Sequence, residues 1–489
     1  MASSPATFEE LQRTFVERAG GRSPADLDAG TMVVVPSISF VSEELRKITA
    51  IQYYEERLLC MLLFLEASEL RIVFVSSMPV DETIIDYYLS FLADPPSARG
   101  RADFVSIGDP EPRGLTDKLL ASPSALNQTR RHIGGVDDAF ILPFNVTELE
   151  RRLAEELQVP LYGPHPELVP LGSKSGSRRV ARDAGVPVLP GAEDLFSLEE
   201  LENAIAALRV ATPDARSLVT KLNNGFSGQG NAILDLASIS SPLQDSPTVF
   251  CAEEESWETY TRKIAEGGVI VEQLIQNPAA RSPSVQLRIL PGGAYEIVST
   301  HDQILGGPDE QVYLGCRFPA NAEYRLIIQA HARRIAEVLS ERGVIGSFGI
   351  DFVVVPNGST WDAYLSEINL RLGGTTHTFL MARRVTRGTY DEATGELIAG
   401  ARQKTYVGGD NFKSTTYVGL EPSRVISELR ESGLAFDIDR GTGVTLHLLG
   451  ALPEYGKLGA LCIADDLDEA EAMYQQVEEW LDELAEAQM

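Results

Sequence analysis

Between Gly349 and Thr376 the chain reads GIDFVVVPNGSTWDAYLSEINLRLGGTT, two apolar β-branched runs flanking Pro-Asn-Gly-Ser. Asn-Gly takes up the positive φ of a tight turn at little cost, so a hairpin is expected: strand Ile350 to Val355, turn, strand Ala363 to Ile368. With the turn centred near Ser359, Asp351 falls opposite Glu367, and Asn369, two residues on, shares its face. Two carboxylates ~4 Å apart repel by about 1 kcal/mol in water and about 4 at an effective dielectric of 20. Like charges are normally kept from facing positions across strands. A hard divalent cation removes the conflict, and Mg²⁺ favours one or two carboxylates together with substrate phosphates. The segment therefore fits an Mg²⁺–nucleotide site built from Asp351, Glu367 and Asn369. Its plain alternative is a surface hairpin whose acids face water.

The rest of the chain bounds what such a site can serve. A net charge of −29 leaves no basic excess to neutralise a nucleic-acid backbone, while a local basic pocket remains compatible with a nucleotide. The richest apolar run, Leu58 to Leu65, is too short to span a bilayer, so no membrane partner is expected. The N-terminus has no basic stretch followed by an apolar core. Cys60, Cys251, Cys316 and Cys462 are far apart and show no CxxC spacing, which suits reduced thiols in a cytoplasmic protein.

Before residue 165, strands at Met32–Val35, Arg71–Val75, Ala102–Ile107 and Ala139–Leu142 alternate with helical spacing, as in a doubly wound parallel sheet. Ser42 is expected to cap one long helix carrying Leu45 through Leu65. Ser173 to Asp183 is a basic helix with Lys174, Arg178, Arg179 and Arg182; it reads either as a solvated surface helix or as an anion site at a helix N-terminus. The strand LVTKL (218–222) leads into NNGFSGQGN, whose Gly225, Gly228 and Gly230 give a loop able to fold backbone N–H groups over phosphates beside Lys221. It is neither a P-loop nor a dinucleotide fingerprint. GVIVEQLI (268–275) is a strand, a meander follows around Pro291-Gly292-Gly293, and Asn321 to Glu341 is a helix. Residues 388–413 are Gly-rich and polar and are expected to be a loop. The last ~70 residues hold two strands and an amphipathic helix.

A helix with Lys174, a strand with Lys221 and its Gly-rich loop, then VEQLI, GIDFVVV and SEINLR, in this order and spacing, resemble the ATP-grasp superfamily of carboxylate–amine ligases. The likeness covers roughly residues 165–380. More narrowly, the chain resembles the pheganomycin-type ATP-grasp peptide ligases. The resemblance implies an α/β chain: a pre-ATP-grasp doubly wound parallel sheet (1–165), two α+β ATP-grasp subdomains (166–270 with the Gly-rich loop, 271–415 with the metal hairpin) and a small C-terminal α/β domain (416–489). It implies ATP and Mg²⁺ as cofactors, small-molecule carboxylate and amine or peptide substrates, and a homodimer. Carried over by position, Lys174 and Lys221 would bind the nucleotide phosphates, and the loop with Gly225, Ser227, Gly228 and Gly230 would close over them. Glu272, Gln273, Leu274 and Ile275 would meet the adenine, and Asp351, Glu367 and Asn369 would hold Mg²⁺. Arg288 would face the phosphates and substrate, and Arg371 would stabilise the acylphosphate.

The segment after the adenine strand, Gln276 to Ser282, lacks the acid that binds ribose in many relatives, so ribose contacts fall to Gln276, Ser282 or Ser284. No Ser/His/Asp or Cys/His arrangement stands out. His377 can be read as a base for the incoming amine or as a structural residue, and His301 is equally open; His447 reads as structural. The expected reaction is amide formation through an acylphosphate in specialised-metabolite synthesis. The alternatives are another nucleophile such as a thiol, a reaction that stops at phosphoryl transfer, or a nucleotide-binding scaffold without catalysis.

Overall fold

The computed structural model describes residues 5–22, 29–40, 42–67, 69–225, 230–252, 254–306 and 312–487. Among the described residues, three sheets organise the chain. The first is wholly parallel, in the order Ala102–Ser106, Glu69–Ser76, Ala29–Val35, Ala139–Pro143. Thr31 to Val35 and Ala139 to Pro143 are buried on both faces, as the continuous apolar run Met32 to Val35 requires, while Ala102–Ser106 is half-buried. The expected doubly wound sheet is thus present.

The long helix expected over 42–65 is broken. Ser42–Leu45 is a single helical turn, Ala50 adopts a left-handed conformation (φ 63°), and Ile51–Glu66 winds as a 3₁₀ helix. Leu58 to Leu65 are all buried, so no polar face exists to fix the period, and 3.0 and 3.6 residues per turn both bury the run.

The second sheet, in the order Gly191–Leu195, Val269–Gln273, Ser217–Leu222, Asn231–Asp235, Thr248–Phe250, is antiparallel. The third has ten strands. Thr360–Asn369 lies at its edge, followed by Gly346–Asn357, Pro283–Ile289, Tyr295–Gly306, Val312–Phe318 and Arg402–Lys413.

Residues 388–413 are not a loop. They form the strands Thr389–Asp391, Glu396–Ala399 and Arg402–Lys413. The glycines read as loop signals lie inside the last strand, where close approach demands them. A Cβ on Gly409 would come 2.9 Å from Leu314 O, and one on Gly408 would come 3.0 Å from Leu461 Cδ1. The C-terminal strand Lys457–Ala464 pairs onto Arg402–Lys413, and Gly443–His447 pairs onto Lys457–Ala464, extending the same sheet across residue 416.

Candidate active site

The hairpin forms from Gly346–Asn357 and Thr360–Asn369, longer than expected, with Gly358 at φ 61° in the turn. Asp351 pairs with Glu367, as the sequence suggests, but by a different route. The turn closes on Asn357 and Thr360, and that register continues to Phe352 opposite Leu365. One extra residue, Ser366, then bulges and shifts the ladder so that Glu367 rather than Ser366 faces Asp351. Bulges of this kind re-aim side chains beside functional sites.

The three expected metal ligands converge. Asn369 Nδ2 lies 2.9 Å from both Asp351 Oδ2 and Glu367 Oε1. Gln303 Nε2 donates to Asp351 Oδ1 at 2.9 Å. Lys174 Nζ pairs with Glu367 Oε2 and donates to Gly225 O at 3.2 Å. Burial, with the Glu367 charge beside it, pushes the Asp351 carboxyl up. Burial would raise Glu367 too, but Lys174 overcomes it and holds that group down. Two half-buried carboxylates, one of them paired with Lys174, are the donor set a hard cation completes. A half-turn of the Asn369 amide presents its oxygen to the same point. The residues therefore fit Mg²⁺.

Lys174 opens the helix Lys174–Asp183, capped by Ser173, whose Oγ accepts from Gly176 N at 3.0 Å. Ser177 Oγ accepts from Ile368 N at 2.9 Å and ties this helix to the hairpin. The helix is not merely a solvated basic surface. Arg179 pairs with Asp194 and Arg182 with Glu193 at its rim, while Arg178 is 2 % exposed and reaches inward. Arg178 Nη1 lies 2.8 Å from Glu272 Oε2, and Lys221 Nζ lies 2.8 Å from Glu272 Oε1. Burial pulls the Lys221 pKa down, Glu272 more than reverses it, and the net shift is upward. Lys221 also donates to Ser366 Oγ, the bulge residue, at 3.2 Å. The Glu272 carboxylate thus bridges Lys221 and Arg178. Gln273 and Leu274 donate their N–H groups to Pro190 O (2.9 Å) and Ser217 O (3.0 Å).

Gly225 and Gly230 face each other at the neck of the Gly-rich loop, where a Cβ on either would stand 3.0 Å from the other's Cα. Ser227 and Gly228 lie outside the described residues. Arg371 is half-buried, its guanidinium 5.7 Å from the Phe40 ring centroid; burial lowers its pKa against the opposing charges of Glu367 and Asp351. Arg288 Nε bonds Glu296 Oε2 at 2.6 Å. Of the residues left for ribose, Gln276 Nε2 donates to Ser217 Oγ at 3.2 Å, and Ser284 pairs with Asp351 across the ladder.

His377 is not poised as a base in this cluster. Its Nε2 lies 3.1 Å from His447 Nε2 and 3.3 Å from Asp410 Oδ1, deep between sheet and helix. Arg57 holds Asp410 from the other side. Burial, then His447, depresses the His377 pKa to about 4. His301 is buried against Tyr406 OH at 2.6 Å. Sequence reasoning missed the brace Arg178–Glu272–Lys221 and the Gln303 contact, because their members lie 43 residues or more apart along the chain.

Comparison with known proteins agrees with this geometry. The family model "IQCH-like, ATP-grasp" matches residues 166–248 and 243–393, and "PGM1 C-terminal domain" matches 424–477. The chain is 31 % identical over 441 residues, 87 % of its own length and 89 % of the relative's, to L-propargylglycine–L-glutamate ligase of Streptantibioticus cattleyicolor. It is 22 % identical over 433 residues, 75 % of this chain and 40 % of the other, to IQ motif-containing protein H of Danio rerio. Among solved structures, an ADP complex of N5-carboxyaminoimidazole ribonucleotide synthetase superposes with a TM-score of 0.54 at 13 % identity, covering 93 % of this chain and 97 % of that one. Biotin carboxylase from Campylobacter jejuni superposes with a TM-score of 0.55 at 15 % identity, covering 90 % and 89 %. The hairpin cluster, the two lysines set against it and this likeness along most of its length place the chain in the ATP-grasp family of ATP-dependent carboxylate–amine ligases.

Proposed function

We propose that the chain joins the carboxylate of one amino acid to the amine of a second amino acid or peptide through an acylphosphate, with Asp351, Glu367 and Asn369 holding Mg²⁺ beneath the triphosphate of ATP. The observation that carries this reading is the convergence of those three side chains with Lys174 on one face of the sheet. The Streptantibioticus relative, an L-propargylglycine–L-glutamate ligase, supports the substrate class.

When bound, Mg²⁺ would supply the positive charge that neutralises the phosphates during transfer. Lys174 and Lys221 would bind the phosphates, and Glu272 keeps Lys221 charged in a buried place. Arg371, beside the two carboxylates, would stabilise charge on the acylphosphate, and Arg288 would face the substrates. The loop with Gly225, Ser227, Gly228 and Gly230 would exclude water, which an acylphosphate needs to survive. Because Gln273 and Leu274 spend their N–H groups within the lobe, the Ile275 N–H is the donor left for an adenine edge. The four buried free cysteines suit a cytoplasmic setting. Among the described residues no helix is long and apolar enough to cross a membrane.

The test is ADP and phosphate release with L-amino acids offered singly and in pairs, with the amide product followed by mass spectrometry. Turnover that needs a pair and yields an amide supports ligation. ADP release with a single acid and no amide would favour phosphoryl transfer, and ATP binding without turnover for any pair would favour a scaffold.

A further inference from the structure

A second cluster of polar side chains shares no residue with the first. His377 on the helix Gly374–Thr386, Asp410 on the strand Arg402–Lys413 and His447 at the end of the strand Gly443–His447 meet in the interior, 3 %, 5 % and 5 % exposed. His447 Nε2 stands 2.6 Å from Asp410 Oδ1, His377 Nε2 stands 3.3 Å from the same oxygen, and the two nitrogens are 3.1 Å apart. The ring centroids are 4.5 Å apart and the planes cross at 69°, so the rings meet at their Nε2 edges rather than stack. His447 pairs with Gly459 across the ladder, where a Cβ would overlap the imidazole, so only glycine leaves the ring this place. Arg57, its guanidinium 4.1 Å from the Tyr54 ring centroid, pairs with Asp410 Oδ2 and leaves Oδ1 to the histidines.

Hydrogen bonding does not satisfy this group. A neutral imidazole carries one N–H. With the His447 Nε2–H given to Asp410, His377 Nε2 faces a nitrogen whose proton is spent, and its own contact to Asp410 Oδ1 is long at 3.3 Å. His377 Nδ1 is buried without a partner among the described residues. A buried polar atom left unpaired is costly. A metal ion answers the same geometry. Zinc bonds imidazole nitrogen and carboxylate oxygen at about 2.0–2.2 Å, and a point about 1 Å off the plane of these three atoms lies about 2.0–2.1 Å from each. Seen from that point the three edges subtend roughly 80–110°, between octahedral and tetrahedral geometry. Beside the two imidazoles lies a cavity of about 10 Å³, counted as room for the centre of a water-sized sphere, which is the space of one water.

We propose that His377, Asp410 and His447 bind one Zn²⁺, with a water in the adjoining cavity as its fourth ligand. Two imidazole nitrogens and one carboxylate oxygen select a borderline transition ion over Mg²⁺ or Ca²⁺, which take oxygen. Three protein ligands and a water are also the set of many catalytic zincs. Here the ligands are buried and the cavity has the size of a single water, so no substrate reaches the ion and its work is to fasten. It ties the helix that follows the hairpin to the C-terminal strands. Through Arg57 on Asp410 it also reaches the 3₁₀ helix Ile51–Glu66. The site draws nothing from the ligase reading and stands or falls separately from it.

The test titrates Zn²⁺ into the chelator-treated full chain, with excess Mg²⁺ present to compete for the hairpin carboxylates. Wild type should bind one Zn²⁺ per chain and melt at a higher temperature with it than without. X-ray absorption at the zinc edge should show nitrogen and oxygen at about 2.0–2.1 Å, with the scattering of two imidazoles. His377→Gln and His447→Gln, where folded, should each bind Zn²⁺ at least about 100-fold more weakly. No stoichiometric zinc in wild type, a ligand shell without imidazole, or equal affinity in a folded variant would overturn the proposal. The wild-type stoichiometry and absorption spectrum decide the matter even where neither variant folds.

Discussion

Glu272→Gln isolates what the buried brace contributes. Glu272 is 1 % exposed and stands 2.8 Å from both Lys221 Nζ and Arg178 Nη1. Taking away its charge leaves two cations buried without that partner. Breaking a buried pair from one side costs about 3–5 kcal/mol, far above the ~0–1 kcal/mol of a surface pair. The variant should lose about that much unfolding free energy in the lobe built on Ser217–Leu222, read by urea denaturation with tryptophan fluorescence; Trp257 lies in that lobe. Function should change with a sign of its own. Burial already pulls the Lys221 pKa down, and Glu272 is the main opposing influence. Without it the folded-state pKa falls below the ordinary lysine value, so Lys221 loses its proton as pH rises through the lowered value. The KM for ATP should then climb with rising pH already below the ordinary lysine range in the variant and stay flat there in wild type. A stability change under 1 kcal/mol, or matching KM profiles, would refute the account of how Lys221 is kept charged.

Two further perturbations follow from the same physics. Glu56 is buried, and burial raises its carboxyl to about 8, with Gly450 N–H donating at 2.9 Å. Its folded-state pKa lies above the unfolded one, so its contribution to stability is present at low pH and lost as pH rises from about 4.5 through 8, at up to about 1.4 kcal/mol per pH unit. Glu56→Gln should flatten the fall of the melting temperature over that range; an unchanged profile would show that the group is not buried as described. Gly349→Ala places a methyl 2.9 Å from the Gln286 amide. It should lower kcat by up to about 100-fold with the KM for ATP little changed, and wild-type turnover would mean that Gln286 does not border the reacting groups.

Some of this site can be read directly from residue order. The β-branched runs around Asn-Gly define the hairpin, and the parity of 367 and 369 places both side chains on one face. The Ser366 bulge leaves no local mark, so the correct pair Asp351–Glu367 follows from a turn centre that is itself displaced by half a residue. The helix beginning at Lys174 reads as basic, but whether Arg178 is surface charge or buried brace depends on Glu272, 94 residues downstream. His377, Asp410 and His447 come from three elements, and no spacing joins them. The glycines at 408 and 409 suggest a loop because composition cannot distinguish a flexible turn from a strand that another backbone must approach. The segment 51–66 carries no polar stripe, so its period could not be fixed from sequence.

The central claim is that Asp351, Glu367 and Asn369 clamp a divalent cation together with the nucleotide. The most direct measurement is Mn²⁺ binding by electron paramagnetic resonance with ADP present, in wild type and in folded Glu367→Gln. The account predicts one Mn²⁺ per chain in wild type and affinity at least 10-fold weaker in the variant, with amide formation abolished. Equal Mn²⁺ binding in the two proteins, or near-normal turnover in the variant, would contradict it.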